Sequence, residues 1–339
     1  MSVAFGELRR LFKNYGYSRY KMGKFEEYDF YAKNKQSLIS QGVITFTDIN
    51  GKLMALKPDV TLSIIKHLRD LDNITQKFFY DEKVYRVSKN HNAFKEITQV
   101  GIEAAGVVDD YVICEVLELA IKSLNLISNG RNFVLDISNL SVIKNLLPDD
   151  FSQSEILNLI AAKNIHGLKK IDGLNQNIIK LVELNSDFDD AIKNLKNIAE
   201  LENFVRILEI LSEYKNNIRI DFSTTNDPNY YNGIIFKGFV DGVPECVLSG
   251  GQYDYLIQSM GHKNSKAIGF ALYVDLLENI DNPKNDYDAD ILITYDENTP
   301  VNKIRECVKK YRGQNLNIAV QKIIPENLKY KELVRLQNA

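Results

Sequence analysis

The chain has no tryptophan and only three cysteines in 339 residues. Cys114, Cys246 and Cys307 stand far apart and show no metal-ligand spacing. An odd, scattered set of thiols gives no disulfide framework and points to a reducing, cytoplasmic setting. The four histidines, His67, His91, His166 and His262, do not pair at zinc spacing. No apolar run reaches the length of about 18 residues that a membrane-spanning helix needs. The stretch MSVAFGELRRLFKNYGY lacks a long apolar core, which argues against a secretion signal. There is no glycine-rich loop of the P-loop kind, and no Ser/His/Asp or Cys/His arrangement is legible from spacing. A formal net charge of −3 argues against a domain built mainly to hold nucleic acid, because neutralising phosphates needs clustered basic groups.

What is present is an ordinary globular composition rich in phenols. Tyr 18 and Phe 16 imply an aromatic core with many hydroxyls to pair or to use. The length suits one large domain and one smaller one, at roughly 100–200 residues per domain.

Apolar periodicity predicts a helix over 2–15, with Val3, Phe5, Leu8, Leu11 and Phe12 near one face. GVITFTDINGKLMALKPDV reads as a hairpin, since Asn50-Gly51 is a strong turn signal. Pro58-Asp59 opens a helix, VTLSIIKHLRDL, with Leu62, Ile65 and Leu68 as its stripe. QKFFYDEKVYRV and KEITQVGIEAAG are two strands joined by a polar loop. DDYVICEVLELAIKSLNL is a helix burying Val112, Ile113, Val116, Leu117, Ala120 and Leu124. NFVLDIS is a strand, and about 140–215 is an inserted helical layer punctuated by Asn and Gly. NIRIDFS returns to strand. YYNGIIFKGFVDGVPECVLSGG is a second hairpin with Asp241-Gly242 near its turn, and AIGFALYVDLL closes the domain near residue 280. After the polar linker DNPKNDYD, residues 281–339 read as a small strand–helix–strand α/β unit. Hairpin-length connections predict an α+β fold: a large, mostly antiparallel sheet flanked by helices.

In KEITQVGIEAAG, alternation puts Gln99, Gly101 and Glu103 on one face, and Val100, Ile102 and Ala104 on the core face. The glycine leaves room above the backbone for a small ligand, with a carboxylate and an amide beside it. The same residues also fit a solvated face with a bulge glycine. Asp59 fits a helix N-cap or a ligand contact, with Thr61 within the same reach. Arg86, taken alone, reads as a surface cation. Tyr230, Tyr231 and Tyr253 sit beside glycines and fit packing or binding.

In order, LKPDVT (56–61), KVYR (83–86), KEITQVGIEAAG (95–106), NYYNGIIF (229–236), SGGQYDYL (249–256) and AIGFALYVDLL (267–277) resemble the signature blocks of the histidyl-tRNA synthetase catalytic domain. They cover residues 1–280. The resemblance implies a class II aminoacyl-tRNA synthetase-like fold and dimerisation through that domain. It also implies a histidine-binding set of Asp59, Thr61, Arg86, Gln99, Glu103, Tyr230, Tyr231 and Tyr253. Gln99 and Glu103 match the family's histidine-binding pair, and Tyr231 and Tyr253 match tyrosines that meet the imidazole. Thr61 matches, while Asp59 replaces a glutamate one methylene longer.

The departures fall on the nucleotide side. Leu276 stands where the active synthetases hold ATP phosphate with an arginine. Asn226 stands where an arginine helps activate the histidine carboxylate. Gln252 replaces the arginine of the GGRYD block. After Arg86 come Val87, Ser88, Lys89 and Asn90 in place of ATP-contacting residues, with Lys95 the main cation left. This pattern resembles a non-catalytic branch, the regulatory subunits of ATP phosphoribosyltransferase in histidine biosynthesis. That resemblance implies no catalytic residues, no cofactor and no metal. It implies free histidine as effector and a short-form catalytic phosphoribosyltransferase as partner in a hetero-octamer. The tail is about half the family's anticodon-binding domain, so no tRNA reading is expected. An active but divergent synthetase, or another amino-acid-binding paralogue, is the alternative.

Overall fold

The computed structural model describes residues 2–34, 42–69, 73–87, 93–147, 153–184, 187–224, 230–277, 287–313 and 316–336. The chain divides into two compact units, Met1–Glu278 and Asn279–Ala339.

The strands of the first unit are β1 (Ser18–Arg19), β2 (Phe25–Glu27), β3 (Thr45–Thr47), β4 (Leu53–Leu56), β5 (Thr75–Val87), β6 (Phe94–Gly106), β7 (Phe133–Asn139), β8 (Ile218–Ile220), β9 (Ile234–Val240), β10 (Leu248–Gln252) and β11 (Lys266–Tyr273). Eight of them form one sheet in the order β1-β5-β6-β11-β10-β9-β7-β8. It is antiparallel except where the two edge strands β1 and β8 pair parallel to β5 and β7. A small separate sheet runs β2-β4-β3. The short strands β1 and β2 were not anticipated from the sequence, because runs of two and three residues carry no legible alternation.

One face of the large sheet is the core face. It carries Phe79, Val100, Ile102, Ala104, Phe270 and Leu272, all buried. Helix α1 (Ser2–Asn14) packs there, with the Phe12 ring 6.1 Å from Phe79 and 6.2 Å from Phe270. Short helices α2 (Tyr28–Lys33) and α3 (Thr61–Lys66) follow. Helix α4 (Asp110–Ile127) starts where the Asp109 carboxylate accepts from the Val112 N–H, 3.0 Å away. That bond satisfies one of the free donors of a helix start. Its six expected apolar residues, from Val112 to Leu124, are all buried. Gly238 of β9 lets Leu124 approach closely: a Cβ there would lie 2.7 Å from Leu124 Cδ2.

Helices run from Leu140–Leu146 to Glu202–Ile210. Their polar punctuation has a physical role. Asn139, Asn164, Asn175 and Asp187 each cap a helix start with a side-chain oxygen.

Two expectations need correction, and one is borne out in detail. The helix after Pro58 spans only Thr61–Lys66. The expected hairpin is present, β3 pairing antiparallel with β4, and the Asn50-Gly51 turn lies in a five-residue connection between Thr47 and Leu53. Asp48 organises the longer loop, accepting from the N–H groups of Asn50 and Lys52, and Gly51 takes a φ of +81°. The face of β6 bearing Gln99 and Glu103 is not solvated: they are 3% and 2% exposed. Nor is Gly101 a bulge, since it pairs in regular register with Tyr80 and Ala271.

The second unit holds β12 (Ala289–Tyr295), the helix Val301–Arg312, β13 (Ile318–Gln321) and β14 (Tyr330–Leu336). The strands are parallel in the order β13-β12-β14. The third strand, β14, was missed: YKELVRL is short on apolar alternation and follows the Pro325-Glu326-Asn327 turn. Ile291, Leu292 and Ile293 of the central strand are buried. Among the described residues, no helix is long and apolar enough to cross a membrane, and no cluster of His, Cys, Asp and Glu could hold a metal ion.

Candidate functional site

The face opposite the core face is bare at its centre. Strand register explains why. β6 presents Gln99, Gly101 and Glu103. β5 places Tyr80 opposite Gly101. β11 places Tyr273, Ala271 and Gly269 opposite those three, and β10 adds Ser249 and Gly251. Five of these nine residues are Gly, Ala or Ser, so the sheet has a floor with little on it. A Cβ at Gly269 would collide with the Glu103 carboxylate. Glycine is required there because the carboxylate lies across the strand.

All eight residues singled out in the sequence line the cavity above this floor: Asp59, Thr61, Arg86, Gln99, Glu103, Tyr230, Tyr231 and Tyr253. Tyr80, Ser249 and Tyr273 line it as well and were missed. Tyr80 was legible in principle, since it falls opposite Gly101 once the two strands are put in register. The cavity measures about 20 Å³, room for about one water.

Glu103 is at the centre. Thr61 Oγ1 donates to its Oε1 at 2.6 Å, and the Tyr253 hydroxyl donates to its Oε2 at 2.6 Å. Tyr230 lines the cavity beside Thr61. Its ring stacks edge-on to Tyr231 at 4.7 Å and lies 6.0 Å from Tyr253. Burial pushes the Glu103 carboxyl up from 4.5 to about 8; the two hydroxyls oppose this, and the Asp59 charge adds to it.

Asp59 has two roles. Its Oδ1 accepts from the Leu62 N–H at 2.9 Å, so it caps the start of α3. It also lines the cavity, 5% exposed. Burial raises its pKa, while the Leu62 N–H and the Arg86 charge hold it down. Arg86 is half-buried, and its Nε donates to the Pro58 carbonyl at 3.0 Å. That bond fastens the end of β5 to the loop that positions Asp59. The cavity therefore holds two carboxyls against one guanidinium, with phenols and one amide between them. It suits a small ligand that carries a carboxylate and more than one basic nitrogen.

A family model for histidyl-tRNA synthetase matches residues 2–277. This chain belongs to the histidyl-tRNA synthetase family. Within that family it stands with the ATP phosphoribosyltransferase regulatory subunits. The one from Clostridium kluyveri is 30% identical, over 86% of this chain and 81% of its own. The one from Clostridium novyi is 29% identical, over 96% of this chain and 84% of its own. The histidine–tRNA ligase of Methanocaldococcus jannaschii is also similar, 28% identical over 90% of this chain and 76% of its own. Two solved structures share the fold. One is an ATP phosphoribosyltransferase regulatory subunit/histidyl-tRNA synthetase from Bacillus halodurans, with a TM-score of 0.68, 18% identity, and coverage of 98% of this chain and 93% of that one. The other is in an ATP phosphoribosyl transferase (HisG:HisZ) complex from Thermotoga maritima, with a TM-score of 0.61, 20% identity, and coverage of 80% and 96%.

Of the positions that the family resemblance sets against arginines, 276 and 252 lie within the described residues. Leu276 is half-buried in a helical turn after β11. The neighbouring Asp275 accepts from the Thr98 N–H at 2.6 Å. Gln252 Oε1 accepts from the Ile234 N–H at 2.7 Å. Lys95 is exposed and pairs in register with Arg86. Asn226 and residues 88–90 lie outside the described residues.

Proposed function

We propose that this chain is a histidine-sensing regulatory subunit of ATP phosphoribosyltransferase and catalyses no reaction of its own. The carrying observation is the split between two sets of residues. Eight side chains suited to a histidine zwitterion surround one cavity, while Leu276 and Asn226 stand where the family resemblance sets the two arginines that serve adenylate formation in the active enzymes. An arginine acting on transition-state phosphate is worth about 10³–10⁵ in rate, so their loss removes adenylate formation. The relatives' names and the Thermotoga maritima complex support the partnership.

In this reading Asp59 and Thr61 meet the α-amino group, Arg86 the carboxylate, and Gln99, Glu103 and the tyrosines the imidazole. Entry of histidine displaces side chains that now close the cavity. The partner is a short catalytic phosphoribosyltransferase in a hetero-octamer, with a homodimer formed through the synthetase-like unit, in the cytoplasm. Histidine regulates by binding two states of the assembly unequally, since equal affinity shifts nothing. The similarity to a histidine–tRNA ligase favours a second reading, a divergent ligase.

One experiment separates them. The purified chain is mixed with a short catalytic subunit, the mass is read by light scattering, and ATP phosphoribosylation is assayed with and without histidine. Association and a histidine-sensitive rate are expected. No association at micromolar concentration, or a rate indifferent to histidine, rejects the regulatory reading.

A further inference from the structure

Two polar side chains of the cavity have nothing to bond. Gln99 and Tyr80 are 3% and 2% exposed. Among the described residues neither side chain has a hydrogen-bond partner, whereas Thr61, Tyr253 and Glu103 are bonded to one another. Neither group is among the fully buried polar atoms left without a partner; both line the cavity, where a ligand or a water can take up their bonds. Gln99 already belongs to the proposed histidine set. Tyr80 does not.

Its placement is built in. Tyr80 stands opposite Gly101 in the β5–β6 register. A Cβ at Gly101 would lie 2.5 Å from the Tyr80 hydroxyl oxygen and 2.6 Å from its Cζ. Only glycine at 101 lets the phenol lie across β6. The ring is held from the other side by Val60, Ile64 and Val84, with which it forms a buried cluster. The hydroxyl is thus fixed on the stretch of floor between Gln99 and Glu103, facing the cavity. Asp59, Glu103, Tyr231 and Tyr273 are the ionisable groups around it.

We propose that Tyr80 is a ligand-binding residue of this site, its hydroxyl reserved for an imidazole nitrogen between Gln99 and Glu103. The inference rests on the histidine-sensing reading and adds a recognition group to it. A phenol both donates and accepts, so it pairs with either ring nitrogen. It also supplies directional discrimination against an apolar side chain of similar size, which would bury the hydroxyl unpaired.

The test uses the full chain and two variants, Tyr80→Phe and Glu103→Ala. Histidine binding is measured by calorimetry, and thermal unfolding is measured without ligand. Tyr80→Phe keeps the ring and its packing and removes only the oxygen. The expected result is affinity weaker by about tenfold with a ligand-free melting temperature unchanged, because the hydroxyl faces the cavity and bonds no other side chain there. Equal affinity for wild type and Tyr80→Phe, with Glu103→Ala impaired, overturns the role of Tyr80 and leaves the histidine reading standing. A lowered ligand-free melting temperature in Tyr80→Phe overturns it too, since the hydroxyl would then be structural. Absence of histidine binding by the wild type rejects the functional reading itself.

Discussion

Glu103 gives the protein a pH-dependent stability that can be worked out from its surroundings. The carboxyl is buried against the sheet, and its pKa stands at about 8 in the fold against 4.5 for the free group. The folded state therefore keeps a proton that the unfolded chain releases. Below pH 4.5 both states hold it and folding loses nothing. As pH rises from about 4.5 to about 8, the unfolded state gains by releasing its proton and the folded state does not. Stability falls through that window and the fall ends above it. At about 1.4 kcal/mol per pH unit, the whole fall is at most about 5 kcal/mol, because relaxation and water entry lower the cost of a buried charge. Glu103→Gln retains an acceptor for Thr61 or Tyr253 but cannot ionise, so it lacks this slope. Urea unfolding of both proteins at pH 5.5 and 8 measures the difference. The wild type should lose stability relative to the variant as pH rises, by about 2 kcal/mol or more. Parallel changes would falsify the burial argument for Glu103.

Histidine binding by the chain should show a matching pH profile. One proton is shared between Glu103 and an imidazole of reference pKa about 6.5, so affinity should be highest between about 6.5 and 8. It should fall by up to tenfold per pH unit outside that range; calorimetry in several buffers reads it, and a flat profile rejects proton sharing. Glu103→Ala should weaken histidine binding ten- to a hundredfold, as a charge-assisted hydrogen bond of about 1.5–3 kcal/mol is lost. Leu117→Ala, in the middle of the buried face of α4, should cost about 2–5 kcal/mol of stability in urea. Histidine-dependent ATP–pyrophosphate exchange should not exceed a no-enzyme control, and clear turnover would restore the ligase reading.

The parts of this structure legible in the sequence are those with strong periodicity or local chemistry. α4 shows because its apolar residues recur at helical spacing over 18 residues. The β5–β6 pair shows because each strand has 13 residues. The helices between 140 and 210 show through their Asn punctuation, since Asn139, Asn164 and Asn175 each cap a helix start. β14 and the two-residue β1 do not show, since short or half-exposed strands leave no alternation to count. The site was legible as an ordered set of motifs, but its geometry was not. Alternation placed Gln99 and Glu103 on one face; it could not say whether water or protein covers that face. That depends on Asp59, Tyr231 and Tyr253, which tertiary folding brings over it from far along the chain. Tyr80 shows only once β5 and β6 are put in register, which sets it opposite Gly101.

The nucleotide-side departures are also woven into the fold. Gln252 is more than a missing arginine. Its Oε1 takes the Ile234 N–H at 2.7 Å, at the start of β9, directly after the segment that carries Tyr230 and Tyr231. A guanidinium offers only donors, so an arginine at 252 cannot accept that bond, and a partly buried N–H left unpaired costs about 1–3 kcal/mol. Arginine at 252 therefore loosens the strand that follows the two tyrosines. Residue 252 is in this way coupled to the candidate pocket through one hydrogen bond. Gln252→Arg should lower stability and weaken histidine binding together, without creating adenylation. Stability lost at unchanged histidine affinity would show that Gln252 supports the strand and not the pocket.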